Sequence, residues 1–315
     1  MPNSLGSKSQ RLSGSTSPLV SVMVTSYNQK YVISRAIESV LCQTYNNIQV
    51  VVADDASTDG SQELLKSFSE RHPGYFKLVF SESNQGIAKN KNNGFRNCDG
   101  EFITYLDGDD FYFPNKIERE INVFSRNPRV DVVYSNFVYA DVDGKPIRVW
   151  KDENTRVPTG YIFVDVFSRS FPYRTLYRNE LIKSNALKSF DYYDESLATY
   201  EDWDLRIRMS KKHFVAFSNY VGSAYVEDPH GISKVSAQTT LINDFRYVVN
   251  KNKILLTDFP FVKKMNILRR LEALVVRQEL SLHSSSFIQH LLKYFLLTGD
   301  LRLIKRYFTK KFRSI

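Results

Sequence analysis

The sequence is poor in cysteine and contains no segment that would enter or cross a membrane as an apolar helix. Its 315 residues include only Cys42 and Cys98, which argues against a secreted disulfide scaffold and fits a reducing cytosol. Both lie in apolar helical patterns and are expected to be inert core thiols. Because there is no CxxC motif and no Cys/His cluster, a structural zinc site is not expected. No stretch reaches the roughly 18 apolar residues of a membrane span, and residues 1–17, rich in Ser and Gly, indicate a disordered leader instead of a signal peptide.

Composition and charge narrow the class of protein further. A hydrophobic fraction of 42% and an aromatic fraction of 14% suffice for a core, so the length allows one large domain or one domain with an appendage. The formal net charge is +9, and the last 31 residues contribute +6 of it. Aromatic and aliphatic residues lie between the basic ones there, which suits an anionic membrane surface better than a nucleic acid. A terminal helix that packs on the body and exposes a basic face would give the same pattern, so both interpretations stay open.

Between Leu19 and Asn136 the sequence alternates between short apolar runs and segments with helical spacing. Strands are predicted at 19–24, 48–53, 76–81, 101–106 and 130–136, and helices at 31–43, 61–71, 86–97 and after Pro114. Near-continuous apolar strands separated by helices predict an α/β fold, with a parallel or mixed Rossmann-like sheet and helices on both faces. Residues 137–235 are less periodic, and the chain is predicted to be helical from about Ala237 to its end.

Polar residues follow each of the first four predicted strands. They are Thr25–Asn28, the pair Asp54 and Asp55, Asn84 with Gly86, and the acidic segment Asp107–Asp110. Because the carboxyl ends of parallel strands meet at one edge of a sheet, where ligands bind, these turns are expected to form one cleft. The acidic segment, within YLDGDDFYFP (105–114), places three carboxylates in four positions. Either water solvates them or a cation lies among them.

Five segments, in their order and spacing, resemble the family 2 glycosyltransferases, which have the GT-A fold. They are VSVMVTSYN (20–28), VVADDASTDGS (51–61), NQGIAKNKNNG (84–94), GEFITYLDGDDFYFP (100–114) and YEDWDLRIRM (200–209). The resemblance covers about residues 18–234. It implies a GT-A domain over 18–235, with a nucleotide-binding half at about 18–136 and an acceptor half at about 137–235. A helical, basic extension at 236–315 is expected to follow.

The resemblance also implies roles for the acidic segment. Asp109 is expected to ligate a divalent metal, Mn²⁺ or Mg²⁺, and Asp107 to contact the ribose or the metal and its water. Asp110 is expected to orient the turn or approach the sugar. Hard cations prefer carboxylate oxygens and keep water or phosphate as further ligands, so one or two aspartates suffice. The alternative is a solvated acidic turn without a ligand.

Nucleoside and diphosphate contacts follow from the same resemblance. Asp55 matches the carboxylate that accepts a hydrogen bond from the base, although it could serve only as a turn cap. Thr25 and Tyr27 match positions that pack on the ring, and Asp54 is expected to be structural. Lys91 stands where the family usually has arginine, so it is expected either to meet the diphosphate or to be an ordinary surface lysine.

The acceptor side is assigned by resemblance from YEDWDLRIRM (200–209). Asp202 matches the family's general base, with its pKa expected to be raised towards neutrality by burial, and Glu201 is expected to contact or orient the acceptor. The acidic residues of this segment could equally favour a helix N-terminus through its dipole. Trp203 is expected in the core. His230 is a candidate metal or phosphate contact, or else a surface residue.

The expected function is therefore an inverting, metal-dependent, non-processive glycosyltransferase of hexosyltransferase type. Its expected partners are a nucleotide-sugar donor, foremost a UDP-sugar, and a glycan or lipid-linked acceptor of surface polysaccharide synthesis. The chain is expected in the cytoplasm, peripheral on the inner membrane face, and it lacks the QxxRW signature of processive synthases. A non-catalytic nucleotide-sugar-binding or scaffolding protein at the membrane is the alternative. A nucleotidyltransferase fits less well, because TSYNQKYV (25–32) has no glycine for a phosphate loop.

Overall fold

A computed structural model describes residues 17–228, 237–280 and 287–298, and the structural statements below concern those residues. The strands are β1 (Val20–Ser26), β2 (Ile48–Asp54), β3 (Phe76–Phe80), β4 (Phe102–Asp107), β5 (Phe111–Tyr112), β6 (Val130–Ala140), β7 (Pro146–Val149), β8 (Leu181–Lys183) and β9 (Phe214–Val226). The helices are α1 (Ile33–Leu41), α2 (Ser61–Arg71), α3 (Ile87–Arg96), α4 (Lys116–Arg126), α5 (Phe163–Phe167), α6 (Ser184–Lys188), α7 (Glu201–Lys212), α8 (Gln238–Asn252), α9 (Phe261–Glu279) and α10 (Phe287–Thr298).

All these strands belong to one mixed sheet, in the order β3-β2-β1-β4-β8-β6-β9-β5, with β7 beside β6. The strands β3, β2, β1 and β4 are parallel, as the apolar runs predicted. β8 runs antiparallel to both β4 and β6, whereas β6 and β9 pair in parallel. The predicted α/β class with a mixed sheet is confirmed.

Both faces of the sheet are covered, because alternate side chains of each strand point to opposite faces. Met23 of β1 packs into one buried cluster with Ile103 and with Trp203 of α7. Its neighbours Val22 and Val24 pack into a second cluster on the other face, which includes α1 and α2. The sheet is therefore the middle layer between helices.

The elements predicted between residues 19 and 107 are all present, with bounds shifted by no more than two residues. One expectation about their side chains is wrong. Cys98 is buried, but Cys42 is exposed because α1 ends at Leu41, so Cys42 lies past the apolar face of the helix. Trp203 is fully buried, as expected, and its indole N–H donates to the carbonyl of Val166 over 2.9 Å.

The expected helical C-terminal region is present, and its first helix is tied to α7. The ring of Phe245 in α8 lies 4.6 Å from that of Trp203. The buried carboxylate of Asp204 accepts a hydrogen bond from the side chain of Asn252 over 2.7 Å and pairs with the Lys251 ammonium at 3.0 Å. Among the described residues, no helix is both long and apolar enough to cross a bilayer.

Candidate functional site

The parallel register brings the carboxyl ends of β1, β2, β3 and β4 to one edge. Thr25 is aligned with Asp107, and Asp54 is aligned with both Ser26 and Phe80. The Thr25 hydroxyl donates to Asp107 Oδ1 over 3.3 Å. The polar turns predicted to share a cleft therefore do meet at one edge of the sheet.

The acidic segment is a tight turn that packs against β1. The amide of Asp110 donates to the carbonyl of Asp107 over 3.0 Å, which closes the turn. A Cβ on Gly108 would lie 2.5 Å from the carbonyl oxygen of Thr25, a distance that no side chain tolerates. Glycine at this position therefore lets the backbone between the aspartates lie directly on β1.

Lys91 of α3 joins two parts of the site that are distant in sequence. Its ammonium lies 3.0 Å from Asp107 Oδ1 and 3.4 Å from Glu201 Oε1, at the start of α7. Only 3% of its side chain is exposed, so the alternative of a surface lysine is wrong. Burial alone would lower the pKa of Lys91, but Asp107 and Glu201 outweigh burial and raise that pKa well above its ordinary value.

The pKa values of the carboxylates near Lys91 shift in different directions. Burial opposes ionisation of Asp107, but the charges of Lys91 and Arg178 prevail and lower its pKa. Burial raises the pKa of Glu201, and its pairing with Lys91 offsets this only in part. Burial, together with the neighbouring charge of Asp107, raises the pKa of Asp109. The site thus concentrates negative charge beside Asp109.

A divalent cation fits this excess of negative charge beside Asp109. Within the described part of the chain, the Asp109 carboxylate forms no ion pair with any other residue, and of the neighbouring charges that of Asp107 acts on it most strongly. The same part of the chain contains no group of three or more His, Cys, Asp or Glu side chains arranged to hold a metal by themselves. The donor set therefore suits a hard cation that takes one or two carboxylates and completes its shell with phosphate and water.

Asp55, which was predicted to contact the base, also binds the protein's own backbone. Its two carboxylate oxygens accept hydrogen bonds from the amides of Gln85 and Gly86, each over 2.9 Å, which fixes the loop that precedes α3. Tyr27 is 45% exposed at the same edge, so a face of its ring is open to a ligand. Asp54 is structural, as expected, since it accepts hydrogen bonds from Ser57 and Gln62.

Asp202 occupies the first turn of α7, next to Glu201, and 35% of its side chain is exposed. It pairs with the guanidinium of Arg206, one helical turn further on. The expectation of a raised pKa is wrong: burial favours the neutral form, but the charge of Arg206, supported by Lys91, lowers the pKa of Asp202 to about 2. The carboxylate is therefore ionised throughout the neutral range.

Three residues of the site were not identified from the sequence. Arg206 is buried and binds Glu180 through two hydrogen bonds of 2.8 and 3.0 Å, besides its contact with Asp202. Arg178 lies 3.6 Å from Asp110, and its charge acts on Asp107, Asp109 and Asp202. The i, i+4 spacing of Asp202 and Arg206 was a signal for the first pair. Nothing local pointed to Glu180 or Arg178, which belong to an irregular segment.

His230 and the basic tail beyond residue 298 lie outside the described residues.

Comparison with known proteins identifies the family. A family model for glycosyl transferase family 2 matches residues 21–188, just over half of the chain. The chain therefore belongs to glycosyl transferase family 2, which confirms the resemblance read from the five segments. Separately aligned with three curated relatives, this chain spans 52%, 35% and 63% of their length, and all three are described as uncharacterized glycosyltransferases.

Among more fully described relatives is Escherichia coli WfgD, a UDP-Glc:alpha-D-GlcNAc-diphosphoundecaprenol beta-1,3-glucosyltransferase. It is 36% identical over 119 residues, which are 38% of this chain and 46% of WfgD. A crystal structure of S. aureus TarS 1–349 in complex with UDP superposes with a TM-score of 0.63 at 19% identity, covering 89% of this chain and 81% of that one. The mannosyltransferase PcManGT from Pyrobaculum calidifontis, in complex with GDP-Man and Mn²⁺, gives 0.56 at 17% identity, covering 93% and 83%. These likenesses confirm the GT-A fold.

Proposed function

We propose that this chain is an inverting, metal-dependent glycosyltransferase that moves one sugar from a nucleotide-sugar donor to an acceptor hydroxyl. The observation that carries the proposal is the contact of Lys91 with both Asp107 and Glu201. This contact joins the end of β4, where the metal and diphosphate are proposed to bind, to the start of α7, where the base is proposed to lie. Donor activation and acceptor deprotonation must occur on opposite sides of one anomeric carbon, and this contact supports such an arrangement.

The proposed donor is a UDP-sugar, and the proposed acceptor is a glycan or lipid-linked glycan of surface polysaccharide synthesis. The UDP complex of TarS and the printed activity of WfgD support these choices by similarity. In the proposed division, residues 18–136 bind the donor, 137–235 shape the acceptor site and 236–315 form the helical extension. Thr25, Tyr27 and Asp55 would hold the nucleoside, since each Asp55 oxygen has a second lone pair beyond its bond to the loop.

Asp109, with Asp107, would hold the divalent metal, Mn²⁺ or Mg²⁺, as the Mn²⁺ complex of PcManGT suggests by similarity. When bound, such a cation neutralises the negative charge that develops on the leaving diphosphate. Lys91 would add a fixed positive charge beside the oxygens of the leaving diphosphate. Because Lys91 is buried and also paired with Glu201, its ammonium stays in place beside the diphosphate when the donor binds.

Asp202 would accept the proton of the acceptor hydroxyl while the hydroxyl oxygen attacks the anomeric carbon and the bond to the diphosphate breaks. A carboxylate with a pKa of about 2 is a weak base, but it is always in the form that accepts a proton. The hydroxyl becomes much more acidic as its oxygen forms the new bond, so the transfer suits a concerted step. Glu201 would remain a positioning residue, since its carboxylate faces Lys91.

We also propose an anionic surface on the inner face of the cell membrane as a partner. Phe261, Val262 and Met265, at the start of α9, have exposed fractions of 74%, 69% and 45%, and Lys263 and Lys264 lie between them. Apolar and basic residues together suit an anionic interface. Flotation with phosphatidylglycerol-containing vesicles should recover the protein, and neutral vesicles should recover less. Equal recovery from both would contradict an electrostatic contribution.

The function is tested by binding and turnover together. Calorimetry should show UDP binding that strengthens when Mn²⁺ is added, and a panel of nucleotide sugars should identify one donor from which nucleoside diphosphate is released in the presence of acceptor. Metal-dependent binding without turnover of any donor, across an acceptor panel of glycans and polyprenyl-diphosphate sugars, would favour the non-catalytic binding protein. Failure of every nucleotide to bind would refute both functions.

A further inference from the structure

The pair formed by Asp110 and Arg178 has unsatisfied polar atoms at the centre of the proposed site. Asp110 Oδ2 and Arg178 Nη1 lie 3.6 Å apart, too far for a good hydrogen bond. Each of these two atoms is buried and has no hydrogen-bond partner among the described residues. Asp110 is 1% exposed, whereas 20% of the Arg178 side chain is exposed. Buried groups of this kind are costly, so an unpartnered pair of them needs an explanation.

Each side chain has a second contact, which holds it in its present orientation. The other oxygen of Asp110, Oδ1, accepts a hydrogen bond from the amide of Val226 at the end of β9, over 2.9 Å. The Arg178 guanidinium lies over the ring of Tyr225, 3.7 Å from its centre. A buried donor and a buried acceptor therefore face each other, close enough that one atom beside the pair could form a hydrogen bond with each of them.

The pair also lies in the right part of the site. Asp110 follows directly after the proposed metal ligand Asp109. The charge of Arg178 also acts on Asp109 and on the proposed base Asp202. The sugar that is transferred must lie between the diphosphate and the base, so a residue near both is placed to contact it.

We propose that Arg178 and Asp110 bind a hydroxyl group of the sugar moiety of the donor, and so select which sugar is transferred. A hydroxyl accepts one hydrogen bond and donates another, so it would satisfy Arg178 Nη1 and Asp110 Oδ2 together. A sugar that lacks this hydroxyl, or presents it on the other face of the ring, would leave both groups unpaired. Sites built in this way discriminate strongly. This inference rests on the proposed function and names a determinant of donor choice within it.

A second arginine of the chain provides a matched control. Arg148 lies over the ring of Tyr139 at the same 3.7 Å, and Tyr139 is aligned with Tyr225 in the pairing of β6 with β9. Its guanidinium forms two hydrogen bonds with Glu227, of 3.1 and 2.9 Å. Arg148 is thus stacked in the same manner but already satisfied by the protein, so Arg148→Met should leave donor recognition unchanged.

The test compares UDP with UDP-glucose, UDP-galactose and UDP-N-acetylglucosamine in calorimetry on the full chain with Mn²⁺. For the sugar nucleotide that wild type binds better than UDP, Arg178→Met and Asp110→Asn should each remove the advantage, weakening binding by about ten-fold or more. Their affinity for UDP should stay within about two-fold of wild type. Arg178→Lys, which keeps the charge, should show the same loss, because a point charge cannot reproduce the fixed guanidinium geometry. Thermal unfolding checks that each variant is folded.

Three results would overturn the inference. Equal weakening of UDP and the UDP-sugar would assign the pair to the diphosphate or to structure. Unchanged donor affinity with a raised KM for the acceptor would assign it to the acceptor hydroxyl. Unchanged donor and acceptor parameters would remove it from recognition altogether. If wild type binds no nucleotide, the proposed function itself fails, which is a different result from loss in the variants alone.

Discussion

The ammonium of Lys91 lies 3.0 Å from the Asp107 carboxylate, in an ion pair that occupies one of the two carboxylates proposed to bind a metal. The lysine is almost fully buried, and about a quarter of the Asp107 side chain, 24%, is exposed. Without a bound cation, Lys91 therefore balances charge that a metal would otherwise balance. Metal binding and this ion pair should compete for the same oxygens.

Lys91→Met should expose that competition. Removing one partner of a buried ion pair leaves the other uncompensated, so the free energy of unfolding should fall by about 3 kcal/mol. Mn²⁺ alone, without nucleotide, should then raise the melting temperature more in Lys91→Met than in wild type, because Asp107 has lost its competing cation. Differential scanning fluorimetry over a Mn²⁺ titration measures both effects.

Lys116→Met is the matched control for this prediction. Lys116 forms an equally buried pair with Glu120, at 2.7 Å, away from the acidic turn. This variant should be destabilised as well, but its response to Mn²⁺ should equal that of wild type. A similar Mn²⁺ response in both variants would mean that Asp107 takes no part in binding the metal.

Asp202→Asn tests the proposed base. An amide cannot accept the acceptor proton, so kcat should fall by about 10²–10⁴-fold, while the affinity for the donor stays unchanged. Steady-state release of nucleoside diphosphate and calorimetry measure the two quantities. Asp258→Asn, at a side chain that is 74% exposed, is the control and should have wild-type kcat. Turnover at the wild-type rate in Asp202→Asn would exclude Asp202 as the base.

Asp55→Asn should affect the loop as well as the nucleotide. An asparagine side chain has one acceptor oxygen, so it cannot hold the amides of both Gln85 and Gly86 as Asp55 does. Hydrogen exchange at these amides should quicken about ten-fold or more, and UDP should bind more weakly. Asp54→Asn, whose partners are in the neighbouring turn, should leave exchange at residues 85 and 86 unchanged. Weaker UDP binding with unaltered exchange would show that Asp55 does not anchor the loop.

Stability should fall in acid partly through Asp194. Burial opposes ionisation of Asp194, but hydrogen bonds from Lys251 and Ser196 lower its pKa well below the ordinary 3.8. The unfolded chain then binds more protons than the folded chain, so this contribution is complete above about pH 5 and is lost as pH falls through the folded pKa. Asp194→Asn should therefore lower the free energy of unfolding at pH 6, and by a smaller amount at pH 3. Urea unfolding at both pH values measures the difference, and an equal loss at both would contradict the linkage.

The sequence predicted the parts of the site that lie on regular strands, but not those that lie on irregular segments. The parallel strands β1 to β4 were readable from apolar runs, and parallel pairing then required Thr25, Asp54 and Asp107 to meet at one edge. By contrast, Arg178 lies within a segment with left-handed backbone at Tyr173, Arg174 and Asn179, where there is no periodic pattern to predict structure from. Its contact with Asp110 depends on tertiary packing alone.

The pKa of Asp202 was mispredicted for a related reason. Burial by itself favours a neutral carboxyl, but the Asp202 side chain is 35% exposed. The sign of the shift was decided by Arg206, whose guanidinium is fixed in place by Glu180, and Glu180 precedes β8 on another part of the sheet. A charge network that joins α7 to the residue before β8 cannot be inferred from α7 alone.

The hydrogen bonds between Asp204 and α8 have a consequence for engineering. Asp204 lies in the first turn of α7, two residues after Asp202, and its carboxylate is held by Lys251 and Asn252 at the end of α8. Any shift of α8 would therefore tilt the residue proposed to deprotonate the acceptor. Chimeras that graft the terminal helices of one family member onto another should preserve turnover only when α7 and α8 are exchanged as a unit.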